Sequence, residues 1–292
     1  ILAGPGSGKT RVITHRIAYL VLVCGVHPRN IAAVTFTNKA AKEMRERLWQ
    51  GLGLKAQDLT VATFHSLCAM ILRREGHHAG LESTFTIYDQ EDQLKLVSQA
   101  MESVQVDPKR FPPRSMLAAI SAAKSQLIEV QTYGAQRSGY LEDIVHRVYQ
   151  RYQDLLQNNK GVDFDDLLLK TYTLFRDNDL VLQKYQSFYT HILIDEFQDT
   201  NIAQYAIARQ IADMHHNICV VGDPDQSIYS WRNADIRNIL SFQRDYPEAN
   251  LVTLGENYRS TENILEAAHN VISVNSQRVD KPLVTRNQRG NP

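Results

Sequence analysis

Residues 3–10 read AGPGSGKT. No other stretch restricts the fold of this chain as tightly. Gly4, Gly6 and Gly8 let a loop turn its backbone N–H groups toward a phosphate with no Cβ in the way. Such a loop works only between a strand and a helix, where the helix N-terminus adds partial positive charge. Both neighbours are legible here. Ile1-Leu2 reads as the end of a buried strand. RVITHRIAYLVLV (11–23) carries Val12, Ile13, Ile17, Leu20 and Val21 near a period of 3.6. Lys9 is placed to reach the β- and γ-phosphates of a nucleotide, and the Thr10 hydroxyl to hold Mg²⁺. The phosphate cradle runs through Ala3, Gly4, Pro5, Gly6, Ser7, Gly8, Lys9 and Thr10. Ala3 stands where the general pattern G-x-x-x-x-G-K-[ST] has Gly, so the strict pattern fails at its first position while its mechanics survive.

A phosphate loop that hydrolyses its nucleotide needs an acidic pair at the end of another strand. ILIDEFQD supplies it: a buried-strand run ends in Asp195-Glu196. Asp195 is the candidate to bind Mg²⁺ with Thr10, and Glu196 to orient and deprotonate the attacking water. A third strand end, VVGDPDQSIYSWRNA, carries Gln226, a neutral amide suited to sensing a γ-phosphate. The distance along the chain from Lys9 to Asp195 exceeds what a minimal phosphate-loop ATPase needs, which leaves room for an inserted domain.

The rest of the chain supports this layout. IAAVTF (31–36), TVATF (60–64), HILIDE (191–196), NICVVGD (217–223) and LVTL (251–254) read as short buried strands. Helical patterns alternate with them: TNKAAKEMRERL, with Asn38 as N-cap, and HSLCAMILRRE. Strands alternating with helices call for a parallel sheet covered on both faces, an α/β fold. Between about residues 80 and 160 the rhythm breaks into helical patterns without convincing strands, such as QEDQLKLVSQAM and DIVHRVYQRYQDLL. Beyond Ser276 the apolar periodicity fades. Lys+Arg and Asp+Glu are both 32, so any nucleic-acid site must be a local groove rather than a global field. Cys24, Cys68 and Cys219 show no metal-ligand spacing and read as small buried residues in a reducing compartment. No apolar run reaches the ~18 residues of a membrane-spanning helix.

Several strand ends carry an aromatic beside a hydroxyl, amide or basic group. Phe36, Thr37, Asn38 and Lys39 follow one strand, and Phe64 and His65 another. Tyr229, Trp231 and Arg232 follow a third. Ligands of an open α/β sheet gather outside the carboxyl ends of its strands. Aromatics and cations repeated there suit stacked bases and the phosphates of a single strand, although Phe36 and Phe64 also fit a core and His65 a helix cap.

Taken in order, AGPGSGKT, TFTNKAA, TFHS, DFDDLL, LIDEFQDT, VVGDPDQSIYSWR and LGENYRST closely resemble the motifs of superfamily 1 DNA helicases of the UvrD/Rep/PcrA type. Ala3 is common in that family's loop. The resemblance implies two RecA-like domains that grip ATP and Mg²⁺ in the cleft between them. Single-stranded DNA, including its junctions with duplex, crosses the top of both. Hydrolysis drives 3′ to 5′ movement in repair or replication, in bacterial cytoplasm or, in a eukaryote, the nucleus. It matches Lys9, Thr10, Asp195, Glu196 and Gln226 to the ATPase residues, with Arg11 as a further nucleotide contact. Tyr258 matches the residue that stacks on adenine, and Arg259 the arginine finger of the second domain. Phe36, Thr37, Asn38, Phe64, His65, Phe164, Tyr229, Trp231 and Arg232 match strand contacts. No role follows for Asp165-Asp166.

The expected domains are a first RecA-like domain over 1–85 and 161–252, an all-helical insertion over 86–160, and the start of a second RecA-like domain over 253–292. The family's adenine-recognition motif and later second-domain motifs have no counterpart in these residues. The chain therefore reads as an N-terminal fragment, one not expected to unwind DNA by itself. The same motor also occurs fused to a nuclease or used to strip proteins from DNA. A nucleotide-switched DNA-binding module would use the same residues without productive hydrolysis, and stacking and phosphate contacts also suit an RNA track.

Overall fold

A computed structural model describes residues 1–136, 138–275, 278–279, 281 and 283–290. The elements run in chain order as β1 (Leu2–Ala3), α1 (Lys9–Leu22), β2 (Ile31–Thr35), α2 (Asn38–Leu52), β3 (Thr60–Thr63), α3 (Phe64–Glu75), β4 (Thr86–Tyr88), α4 (Gln90–Ser103), α5 (Pro113–Ser125), α6 (Val130–Gln136) and α7 (Tyr140–Asn158). They continue as β5 (Gly161–Asp163), α8 (Phe164–Asp177), α9 (Asp179–Phe188), β6 (His191–Ile194), α10 (Ile202–Ala212), β7 (Ile218–Val220), α11 (Arg237–Asp245), β8 (Thr253–Leu254), β9 (Glu256–Asn257), α12 (Glu262–Ile272) and β10 (Val284–Thr285). The fold is mixed α/β, and among the described residues every strand pairing is parallel.

The chain divides into two compact units. The first comprises Ile1–Thr63, Tyr185–Asn201 and Ile211–Pro292. Its sheet has the order β3-β2-β6-β7. β1 continues this edge through a parallel bridge from Leu2 to Gly222 and pairs on its other side with β8. All five residues of β2 are buried, as a strand covered on both faces requires. The core gathers Ile13 and Ile17 of α1, Met44 and Leu48 of α2, and Ile31, Ala33 and Leu193 of the sheet. Because the strands run parallel, the ends of β1, β2 and β6 and the loop after β7 open on the same side. That shared rim is where the phosphate loop and the acidic pair emerge.

The second unit comprises Phe64–Lys184 and Ile202–Gln210. Its core is helical, with Val97 and Ala100 of α4, Ile120 of α5, and Val148, Tyr149 and Tyr152 of α7 all buried. The stretch 86–160 is not all-helical, however. Thr86–Tyr88 pairs in parallel with Gly161–Asp163. Three-residue strands are too short to show a period of two, which is why the sequence pattern passes over them.

Local details also differ from the sequence reading. Thr37, not Asn38, caps α2: its hydroxyl accepts the Ala40 N–H at 3.1 Å. Cys68 is buried and Cys219 half-buried, but Cys24 is exposed at the end of α1. A short strand, β10, lies in the stretch where apolar periodicity fades; residues 276, 277, 280, 282, 291 and 292 of that stretch fall outside the described residues. Among the described residues, no helix is long and apolar enough to cross a membrane.

Candidate active site

The phosphate loop leaves β1 at Ala3 and enters α1 at Lys9. Gly6 and Gly8 have φ of 67° and 91°, a region that residues with a Cβ rarely adopt. Ser7 folds the loop inward, its hydroxyl donating to the Gly4 carbonyl at 2.6 Å. Space is as restrictive as φ at Gly6: a Cβ there would lie 2.6 Å from Asn257 Nδ2 and 2.8 Å from Arg259 Cβ.

Lys9 is buried, and its ammonium donates to Gln226 Oε1 at 3.0 Å and to the Ala3 carbonyl at 3.5 Å. Glu196 Oε2 lies 4.0 Å from the same ammonium. The Thr10 hydroxyl donates to Asp195 Oδ2 at 3.1 Å. Thus Lys9, Thr10, Asp195, Glu196 and Gln226 are brought together. Burial, with Glu196 next door, pushes the Asp195 carboxyl up to about 6. The hydrogen bonds from Thr10 and from the Glu196 N–H to Asp195 work the other way. Glu196 sits in the left-handed region, at φ 49° and ψ 47°. A non-glycine residue held there stores strain of order 1–3 kcal/mol, a feature concentrated at functional sites.

Gln198, which the sequence reading does not single out, ties these groups together. Its amide nitrogen donates to Glu196 Oε2 at 2.9 Å and to Asp199 Oδ2 at 3.1 Å. Its carbonyl oxygen accepts the Asp223 N–H at 2.9 Å. Asp223 is fully buried and accepts the Gln226 amide at 2.5 Å, which turns the Gln226 carbonyl oxygen toward Lys9. Lys281 closes the far side of Asp223 at 2.5 Å. The signal for Gln198 was its place inside LIDEFQDT, but only the fold shows that it joins two strand ends.

Asn257 is the second residue the sequence reading misses. It is 1% exposed; its amide nitrogen donates to the Pro5 carbonyl at 2.5 Å, and its carbonyl oxygen accepts the N–H groups of Arg259 at 2.8 Å and Ser260 at 2.7 Å. The Tyr258 N–H donates to the Gly6 carbonyl at 3.0 Å. These bonds hold the turn bearing Tyr258 and Arg259 against the phosphate loop. Tyr258 is 66% exposed and lines an open groove of about 1080 Å³ with Ser7, Arg11, His15, Tyr19 and Leu254. Arg11 is itself exposed, with its Nε 3.4 Å from His15 Nε2.

The aromatic residues fall into two groups, one in each unit. In the first unit, the Phe36 and Tyr229 rings lie 4.7 Å apart and Tyr229 and Trp231 6.0 Å apart. The Arg232 guanidinium covers Trp231 at 4.6 Å and Tyr229 at 5.3 Å. Trp231 is 70% exposed, more than packing requires. Thr37, Asn38 and Lys39 are exposed nearby in sequence.

In the second unit, the His65 and Phe164 rings pack edge to face with centroids 6.0 Å apart, and Phe164 is 45% exposed. Burial lowers His65 to about 4, so its ring is neutral at physiological pH. Phe64 is the correction: it is 4% exposed, an interior ring with no face to offer a base.

Known proteins resemble this chain in sequence. The family model for the UvrD/REP helicase N-terminal domain matches residues 1–247. A protein named ATP-dependent DNA helicase PcrA from Bacillus subtilis (strain 168) is 50% identical over 99% of this chain and 39% of its own length. Proteins of the same name from Staphylococcus epidermidis (strain ATCC 12228 / FDA PCI 1200) and Staphylococcus aureus (strain NCTC 8325 / PS 47) are 49% and 48% identical, again over 99% of this chain and 40% of their own lengths. The chain thus spans about two fifths of the relatives it matches.

Proposed function

The chain belongs to the UvrD/REP helicase N-terminal domain family, and from that premise we propose that it carries the nucleotide-hydrolysing and strand-contacting parts of an ATP-dependent 3′ to 5′ DNA helicase of repair or replication. The observation that carries this reading is the meeting of Lys9, Thr10, Asp195, Glu196 and Gln226 at one rim of a parallel sheet. The reading makes residues 1–85 and 161–252 a RecA-like domain, 86–160 its insertion, and 253–292 the start of a second RecA-like domain.

Each residue then has a task. The N–H groups of Gly4, Gly6, Ser7 and Gly8 and the N-terminus of α1 receive the ATP phosphates. The Lys9 ammonium moves from Gln226 to the β- and γ-phosphate oxygens. Thr10 and Asp195 offer two hard oxygen donors 3.1 Å apart, a pair suited to Mg²⁺, which when bound neutralises charge on the phosphates. The Glu196 carboxylate, aimed by Gln198, takes the proton of the attacking water. Gln226 gives up its bond to Lys9 and reports the γ-phosphate. Tyr258 stacks on adenine beside Arg11, and Arg259 stabilises the charge that develops in the transition state.

Single-stranded DNA, up to its junction with duplex, is the proposed track. Phe36, Tyr229, Trp231 and Arg232 offer bases a face and a cation, with Thr37 and Asn38 as polar contacts. His65 and Phe164 do the same in the second unit.

The test is strand displacement by the protein expressed from its native gene. With ATP and Mg²⁺ it should displace the strand from a 3′-tailed duplex and not from a 5′-tailed one. Displacement indifferent to ATP, or confined to 5′ tails, would sink the reading.

A further inference from the structure

The motif DFDDLL supplies Phe164 to the proposed strand track, but its aspartates have no part in the ATPase. Their role emerges from a buried charge cluster in the second unit. Lys124, on α5, is fully buried, with its ammonium 2.6 Å from Asp163 Oδ2 and 2.9 Å from Asp166 Oδ1. The Tyr152 hydroxyl, from α7, donates to the same Asp163 oxygen at 3.0 Å. Asp163 caps α8: its other oxygen accepts the Asp166 N–H at 2.7 Å, and Asp166 accepts the Asp163 N–H in return. Gln153 Nε2 adds a bond to Asp166 at 3.2 Å. Phe164 directly follows the cap as the first residue of α8, and its exposed ring packs edge to face with His65.

A buried ion pair is weak support for stability, because apolar residues of the same volume often do as well. It is better suited to fixing a geometry. Two carboxylates face one ammonium here, and the N-terminus of the 14-residue α8 offsets the excess negative charge. Both carboxylates lie in the first turn of α8 or at its cap, so the cluster fixes the one turn that presents Phe164.

We propose that Lys124, through Asp163 and Asp166, is a positioning residue for single-stranded DNA binding that holds the Phe164 ring at the angle at which a base stacks on it. The proposal rests on the reading of Phe164 as a strand contact.

A double-mutant cycle in the protein expressed from its native gene tests it. The readout is the oligo(dT) concentration that half-saturates ATPase stimulation, alongside the DNA-free ATP KM and a melting curve. Phe164→Ala should raise the half-saturating concentration about tenfold, the loss of one stacked base. Lys124→Met should raise it by a similar factor with the DNA-free ATP KM within twofold. Lys124→Met/Phe164→Ala should be no worse than Phe164→Ala alone. Independent, multiplying effects, or no effect of Lys124→Met when Phe164→Ala has one, would overturn the positioning role. No effect of Phe164→Ala would instead overturn the reading beneath it. Should Lys124→Met fail to fold, Tyr152→Phe removes one bond to Asp163 without stranding a charge. It should raise the concentration two- to threefold, and only when Phe164 is present; a rise that persists without Phe164, or no rise, would count against the role.

Discussion

Lys9 and Gln226, 217 positions apart, share a 3.0 Å hydrogen bond that joins the phosphate loop to the third strand end. The amide of Gln226 has no freedom in choosing which end faces Lys9. Asp223 accepts its nitrogen at 2.5 Å, so its oxygen must face the ammonium. Gln226→Ala removes the proposed sensor but none of the loop N–H groups proposed to receive phosphate. ATP affinity should stay within a few-fold while DNA-stimulated kcat falls roughly 100-fold, the scale of one lost transition-state contact. Steady-state kinetics with oligo(dT) separates the two, and a rise in KM without a fall in kcat would show that Gln226 only binds.

Asp195 ties activity to stability through pH. Its carboxyl is pushed up to about 6 in the fold, whereas an unfolded chain leaves it near the usual ~3.9. The folded state therefore binds the proton more tightly, and stability falls as pH rises through that window. Asp195→Asn removes the penalty. In the absence of nucleotide it should melt higher than wild type at pH 8, by about 1–3 kcal/mol of stability, and gain nothing near pH 4. The same variant should lose Mg²⁺-dependent hydrolysis. Equal gains at both pH values would contradict the charge argument.

Gly6 lies in the proposed phosphate cradle and packs against the Asn257 latch. Gly6→Ala adds a Cβ 2.6 Å from Asn257 Nδ2, at a φ of 67°. It should destabilise by about 1–3 kcal/mol and abolish tight ATP binding. Asn257→Ala leaves the loop itself intact but frees the turn carrying Tyr258 and Arg259. It should therefore lower kcat more than it raises the KM for ATP. Melting curves and ATP titrations of the two variants check this, and a Gly6→Ala protein with wild-type affinity would refute the packing argument.

Trp231 contributes little to the fold, since 70% of it is exposed. Trp231→Ala should move stability by no more than about 0.5 kcal/mol. Losing one stacking face should weaken single-stranded DNA binding by about 1–3 kcal/mol, nearly independently of base sequence. Fluorescence anisotropy on oligo(dT) and oligo(dA) measures both. A loss seen with one sequence only would indicate base readout rather than stacking.

Much of the candidate site was legible from residues alone, because phosphate chemistry dictates types and spacings: glycines where φ turns positive, then Lys9 and Thr10. The buried runs of β2 and β6 were legible because a strand covered on both faces must be apolar throughout. What escaped shares one cause, dependence on partners distant in sequence. Gln198 matters because Asp223 arrives beside it, and Asn257 because Pro5 does. Nothing in the sequence singles out Lys124, whose pairing with Asp163 and Asp166 appears only in the fold. Phe64 occupies a strand-end position like that of Phe36, yet burial separates the two. β4 and β5 were missed for brevity alone.

ATP hydrolysis by the protein expressed from its native gene, with and without oligo(dT), tests the central claim most directly when wild type is set beside Lys9→Ala. Single-stranded DNA should stimulate the wild type, and Lys9→Ala should cut the stimulated rate roughly 100-fold or more. A Lys9→Ala rate near wild type, or a wild-type rate indifferent to single-stranded DNA, would contradict a DNA-coupled motor built on this phosphate loop.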